Sequence, residues 1–179
     1  GGRDMVRLMI RAAGAVLVVA GAAGLGTFFS SRFLLRLRLL EDLRKLVFLL
    51  KGEILYGNSS LEEAFARAGG RLDGRIGRFA EMVAEGIGER QGRGFQEIWK
   101  AEMESLADLP LDREDREQLE SFGGQLGYLD RQMQERTMLL YLEQLELAIG
   151  GLRERKREAC RLYTGLSLAG GLFFVIIMC

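Results

Sequence analysis

The sequence predicts an all-α fold: a bundle of about six helices whose long first and last members continue into two membrane spans. Three observations carry this. Two charge-free apolar runs, Ala12 to Phe29 and Leu162 to Met178, lie near the two ends of the 179 residues. The polar middle between them holds the single Pro and few Thr or Val, a composition that favours helix over sheet. Its apolar residues recur at spacings of three, four or seven, the mark of amphipathic helices. The segments are a flank at 1–11, a span at 12–31, a helical domain at 32–161 and a second span at 162–179.

The run 12–29 extends ~27 Å as a helix at ~1.5 Å per residue, close to a bilayer core of ~30 Å. Met5 is the expected native start. A cleaved signal peptide is the rival reading, with Arg7 and Arg11 before the run and Ala20-Gly21-Ala22 as a cleavage site. Against it, the apolar run continues past that site and the helical pattern does not break. Phe33, Leu37, Leu40, Val47, Leu50 and Ile54 keep one stripe, widened by Leu35, Leu39, Leu43 and Leu46, opposite Arg38, Asp42 and Lys45. One helix is expected from Met5 to Tyr56.

Gly57-Asn58 stops it, with Gly57 as a left-handed cap. Ser59-x-x-Glu62 and Ser60-x-x-Glu63 are overlapping capping boxes for a short helix ending at Gly69-Gly70. A third helix spans Asp73 to Glu89, weakened by its glycines, with Ile76, Phe79, Ala80, Val83 and Ile87 inward. After a loop from Arg90 to Gly94, a fourth runs from Phe95 to Leu106 and stops before Leu109-Pro110. Asp112 caps the fifth, with Asp115 at its third position and Leu119, Phe122 and Leu126 inward. Gly127 is the expected left-handed end. Asp130 caps the last helix, whose stripe is Met138, Tyr141 or Leu142, Leu145, Ile149 and Leu152. It continues into the second span, with Gly150-Gly151 as a kink point.

The composition excludes much chemistry. No His is present, which removes the commonest general base and metal ligand. Lys and Arg number 25 and so do Asp and Glu, so no global basic field supports nucleic-acid binding. Gly86-Ile87-Gly88 and Gly92-Arg93-Gly94 do not form a phosphate loop, and no G-K-[ST] exists. The carboxylate clusters Glu62-Glu63, Glu102-Glu104, Asp112-Glu114-Asp115 and Glu143-Glu146 read as solvated faces or helix caps. No catalytic group, cofactor or metal is expected. Cys160 and Cys179 would lie ~28 Å apart on one helix, too far for a disulfide.

Lys and Arg beside the spans set topology. Arg32, Arg36, Arg38, Arg44 and Lys45 follow the first span, and Arg153, Arg155, Lys156, Arg157 and Arg161 precede the second. Only Arg3, Arg7 and Arg11 oppose them. The middle is therefore expected in the cytoplasm. Arg32, Arg36, Arg38, Arg153, Arg155, Lys156, Arg157 and Arg161 form a collar facing the anionic head groups of the lipid bilayer. Ala20-x-x-x-Gly24, Ala22-x-x-x-Gly26 and Ser167-x-x-x-Gly171 allow close helix approach, between the spans, to a partner's span or in a homo-oligomer.

The ordered set of motifs resembles the stage III sporulation protein AB family along essentially the whole chain. It comprises the opening span with its basic leucine-rich helix, Leu50 to Phe65, Leu111 to Asp115, Leu119 to Gly127, then Asp130 and Gln134, a basic patch with Tyr163, and a closing glycine-bearing span. The family's Thr-Pro-Leu after the Tyr-Gly turn is here Ser59-Ser60-Leu61. The resemblance implies a bundle similar to the cytoplasmic domain of the inner-membrane platform protein F of type II secretion and pilus systems. It implies a two-pass protein of the mother-cell membrane facing the forespore, in the channel complex joining the two cells. The implied partners are a secretion-type ATPase, stage III sporulation protein AA, and the other membrane proteins of the stage III sporulation A operon. Glu53, Tyr56, Gly57, Gly127 and Asp130 match motif positions and are read as turn architecture, together with Ser59 and Ser60. The distal end is expected ~37 Å from Arg32 along the helix and to carry the partner surface, with Glu62 and Arg131 as exposed contacts. The alternatives are a stand-alone membrane-anchored helical structural protein, a generic type II secretion or pilus platform subunit, and a small membrane enzyme or ion-binding protein.

Overall fold

The computed structural model describes residues 31–89, 92–127 and 130–178 together with Met5, with side-chain surroundings up to residue 158. Among these the chain is helical and contains no strand. α1 covers 31–55. Then come α2 (Leu61–Gly69), α3 (Gly74–Gly88), α4 (Phe95–Met103) with a 3-10 turn at Glu104–Leu106, α5 (Arg113–Leu126) and α6 (Arg131–Met178). Glu41 of α1 meets Arg153 of α6 at 2.6 Å, while Asn58 just beyond α1 accepts a hydrogen bond from Arg131 at the start of α6. α1 and α6 are therefore antiparallel, and α2 to α5 brace them.

The inward face of α1 is Leu37, Leu39, Leu40, Leu43, Leu46, Val47, Leu50 and Ile54, all buried. Leu35, expected to widen this stripe, is exposed; burial begins only at Leu37, where the braces first cover α1. On α6 the buried positions are Met138, Tyr141, Leu145, Ile149 and Leu152. Tyr141 rather than Leu142 takes the central place, because its ring stacks on Phe122 at 4.6 Å. Its hydroxyl is buried without a protein partner.

Trp99 joins the braces. Its ring lies 5.8 Å from Phe65, 5.1 Å from Phe79, 5.9 Å from Phe95 and 5.9 Å from Phe122, so α2, α3, α4 and α5 meet on one indole. The indole N–H donates to Leu119 O at 3.1 Å, satisfying its one polar atom. Gly123 gives the ring room: a Cβ there would lie 2.1 Å from it. The glycines expected only to weaken α3 have a packing role, since a Cβ on Gly77 would stand 1.9 Å from Leu72 O.

The expected fourth helix tightens into the 3-10 turn near its end. Arg75 donates to Ser105 O, and Arg116 donates to the carbonyls of Leu106, Ala107 and Leu109, so side chains take over acceptors that a continuing helix would use. α6 passes Gly150-Gly151 without a break. No helix among the described residues is long and apolar enough to cross a membrane. The first expected span lies outside them apart from Ser31. The second falls on the end of α6, beyond the described side chains.

Candidate functional site

At the far end, α1 closes on a tight turn. Gly57 N–H donates to Gly52 O at 3.0 Å and Ser59 N–H to Glu53 O at 3.1 Å. The left-handed residue is Asn58, with φ 52°, and not Gly57. Gly57 is there for space: a Cβ would sit 2.7 Å from Glu53 O. Gly127 departs from expectation likewise, ending α5 in the right-handed region at φ −76°. A Cβ on it would meet Phe95 at 2.6 Å. Close approach, not handedness, selects both glycines.

Of the two candidate caps, Ser60 takes the part. Its Oγ accepts from Glu63 N–H at 3.3 Å, and the Glu63 carboxylate accepts from Ser60 N–H at 3.2 Å. Ser59 turns back, donating to Glu53 Oε2 at 3.2 Å. Glu53 also accepts from Arg67 at 3.1 Å and pairs with Arg71 at 3.3 Å. The Arg67 hydrogen bond, aided by Ser59, holds the Glu53 carboxyl below its usual 4.5 although burial opposes this.

Asp130 caps α6 through Met133 N–H at 2.9 Å, and Gln134 donates to Leu126 O at 3.0 Å, tying α6 back to α5. The bond from Arg131 to Asn58 sets the two turns side by side. Tyr56, next to Gly57 at the close of α1, has 82% of its surface exposed. Glu62 is not the exposed contact expected. It is half-buried, and its carboxylate lies where a Cβ on Gly88 would be 3.0 Å away. It lines an open cleft of about 530 Å³ with Arg78, Glu81 and Glu85.

The expected collar separates into two groups. Arg32, Arg38, Arg155, Lys156 and Arg157 are exposed. Arg36 is a correction, because it is engaged within the protein; Arg153 is exposed like the rest of the collar but carries an ion pair. Arg153 pairs with Glu41. Arg36 donates from Nε to Asp115 Oδ2 at 2.8 Å and from Nη2 to Asp115 Oδ1 at 3.0 Å, and it also pairs with Asp112. Asp115, read as a cap on a solvated end, has a side chain only 3% exposed. It accepts from Asp112 N–H at 2.9 Å as expected of a cap, and is satisfied by Arg36 besides. Burial opposes the Arg36 charge, but the hydrogen bond and charge of Asp115 outweigh it and raise the pKa. Arg161 lies beyond the described side chains.

The signals for these clasps were present. Arg36 falls four residues before Leu40 and seven before Leu43, on the inward stripe, and Glu53 falls seven after Leu46. A charge on an apolar stripe needs a buried partner. Sequence cannot name that partner when, as for Arg36 and Asp115, it lies 79 positions away.

Of the carboxylates that the sequence singled out, Glu63 completes the cap of α2, and Asp112 and Asp115 belong to the start of α5 and pair with Arg36. No group of three or more His, Cys, Asp or Glu among the described residues could hold a metal ion. What remains is surface: the distal turns with Tyr56, the Glu62 cleft, and a groove of about 480 Å³ between α1, α6 and the α2–α3 turn.

A family model described as stage III sporulation protein AB matches residues 11–179. A curated relative, stage III sporulation protein AB of Bacillus subtilis (strain 168), is 22% identical over 171 residues, covering 95% of this chain and 99% of the relative. A solved structure of stage III sporulation protein AB superposes with a TM-score of 0.63 at 22% identity, covering 69% of this chain and 98% of that one. At that identity the structural likeness speaks for the fold.

Proposed function

The chain belongs to the stage III sporulation protein AB family, and from that premise we propose that it is a non-enzymatic platform subunit of the channel complex between mother cell and forespore. In this reading both ends of the chain sit in the mother-cell membrane and the bundle stands in the cytoplasm. Its distal end receives a secretion-type ATPase, stage III sporulation protein AA, and the other membrane proteins of the same operon pack around it.

One observation carries the reading. Both chain reversals converge at a single end, joined by Arg131 and Asn58, where Tyr56 at the close of α1 is exposed. α1 and α6 point back toward the basic residues at the other end. Tyr and Arg are enriched among the hot spots of protein interfaces.

The test is association of the full chain in lipid nanodiscs with the purified ATPase. Tyr56→Ala and Arg131→Glu are expected to weaken it roughly tenfold or more, with Arg155→Glu and Arg157→Glu near wild type. Loss only in the Arg155 and Arg157 variants puts the ATPase at the membrane end. No association in any form favours the stand-alone structural protein. A reporter inserted between Arg90 and Gly94 is expected to be active only in the cytoplasm; activity on the outer side reverses the topology.

A further inference from the structure

The groove between α1, α6 and the α2–α3 turn has an apolar floor of Phe48, Leu49, Leu72 and Leu142. Arg44, Lys45, Arg71 and Glu146 form its rim. Phe48 is 68% exposed, although α1 buries Val47 and Leu50 on either side of it. Leu139, also exposed, lies three residues before Leu142 on α6 and extends the apolar surface.

A second observation bears on what covers this surface. Gly52 lies inside α1, one turn beyond Phe48 on the same face. A Cβ built on it meets nothing within 4 Å. Glycine within a helix is unfavourable relative to alanine, and at Gly123 or Gly77 internal packing explains it. At Gly52 nothing in the bundle does. A bare backbone there lets another chain lie close against α1.

The rim supplies the charge. Three cations stand against one carboxylate. Lys45 leans on Asp42 and Arg71 on Glu53, both from exposed positions, and Arg44 has no ion pair among the described residues. The surface is therefore apolar at its centre, cationic at its edge and, from Arg44 to Gly52, about two turns of helix long. Helix-in-groove recognition has this form, with anchors at i, i+3 or i+4 and i+7.

We propose that this groove seats an acidic amphipathic helix from another protein. Its apolar anchors lie beside Phe48 and Leu142, its backbone passes close to Gly52, and its carboxylates face Arg44, Lys45 and Arg71. The groove adjoins the distal turns and shares Gly52 and Arg71 with them, but its floor includes neither Tyr56 nor Arg131, so the Phe48 crosslink and the Tyr56 and Arg131 variants test the two readings separately.

The test uses the full chain in sporulating cells with a photo-crosslinking phenylalanine in place of Phe48, and the adduct sequenced by mass spectrometry. The expected adduct is an acidic segment of another protein with helical apolar periodicity. Gly52→Trp fills the open space and is expected to lower the adduct roughly tenfold, as is Arg44→Glu through charge. Both positions are half-buried at the surface, and unchanged thermal unfolding of the purified variants confirms that the bundle is intact; if Gly52→Trp unfolds, Arg44→Glu decides. Adducts on lipid, on a second copy of this chain or on a non-acidic segment overturn the proposal. So does the absence of an adduct, or an adduct that folded variants leave unchanged.

Discussion

The two ends of α1 hold the same chemistry in different surroundings. Near its root, Arg36 reaches a carboxylate from α5; at its far end, Glu53 reaches guanidinium groups from α2 and the turn beyond it. At the root both partners are withdrawn from water, with Asp115 3% and Arg36 18% exposed. At the far end only the carboxylate is withdrawn, and Arg67 and Arg71 are 55% and 59% exposed. A pair whose members both lose water is costly to break, because the survivor is stranded. A pair with exposed cations is not, because the survivors resolvate. The root is therefore a lock and the far end a loose fastening.

Breaking the lock gives the largest effect expected. Asp115→Ala strands Arg36 and also removes the acceptor of Asp112 N–H. A broken buried pair costs about 3–5 kcal/mol; Arg36 keeps Asp112, so about 2–3 kcal/mol is expected here, read as a fall in the denaturant midpoint. Adding Arg36→Met should restore much of it, since the stranded charge is then gone. A loss under about 0.5 kcal/mol would place this pair with surface bridges and erase the difference between the ends.

At the far end, the turn tests whether space or handedness selects Gly57. Gly57→Ala drives a methyl into the Glu53 carbonyl, backbone that cannot swing aside, and about 1–2 kcal/mol is expected. Asn58→Gly keeps the positive φ and should stay within about 0.5 kcal/mol. The reverse order would return the left-handed cap to Gly57.

A smaller effect, of opposite sign, belongs to Tyr141. Burial pushes its phenol well above the ordinary range, and the charge of Asp115 adds to the shift. Its hydroxyl has no protein partner, so Tyr141→Phe removes an unsatisfied polar atom and keeps the ring stacked on Phe122. A gain of about 0.5–1 kcal/mol is expected. A loss of that size would mean that the hydroxyl is bonded in solution and helps hold Asp115.

The helices and their starts were legible because local rules decide them. Asp112 and Asp130 cap α5 and α6 at positions that side-chain oxygens and spacing indicate, whereas at α2 the spacing allows Ser59 or Ser60 and Ser60 takes the cap. The meeting point of the braces was not legible. Periodicity puts Trp99 on one side of α4 with Phe95, Ile98 and Met103, but its contacts with Phe65, Phe79 and Phe122 depend on how four helices cross. Gly77 reads as a weakness of α3 for the same reason, since the atoms that forbid a Cβ on it, as on Gly123, belong to other parts of the chain. Arg36 was assigned to the membrane collar because its sequence neighbours are basic; only its phase on the stripe of α1 pointed inward.

The subtlest separation of the two ends is by pH. Glu53 in the folded chain ionises below its ordinary 4.5, owing first to the Arg67 hydrogen bond and then to Ser59. A carboxyl with a depressed folded pKa binds its proton more readily when unfolded. Its contribution is therefore complete above the unfolded value and disappears as pH falls through the folded one. Stability measured downward from about pH 6 should hold level until near 4.5, then decline on the acid side. In Glu53→Gln that part of the decline should vanish, leaving a shallower acid limb. Added salt should erode the same contribution in wild type, because Arg67 and Arg71 are open to screening. An acid limb unchanged in Glu53→Gln would mean that the far-end fastening contributes nothing to folding. The clasp would then serve only to aim Arg67 and Arg71 at the surface, and the loose end would be looser than its geometry implies.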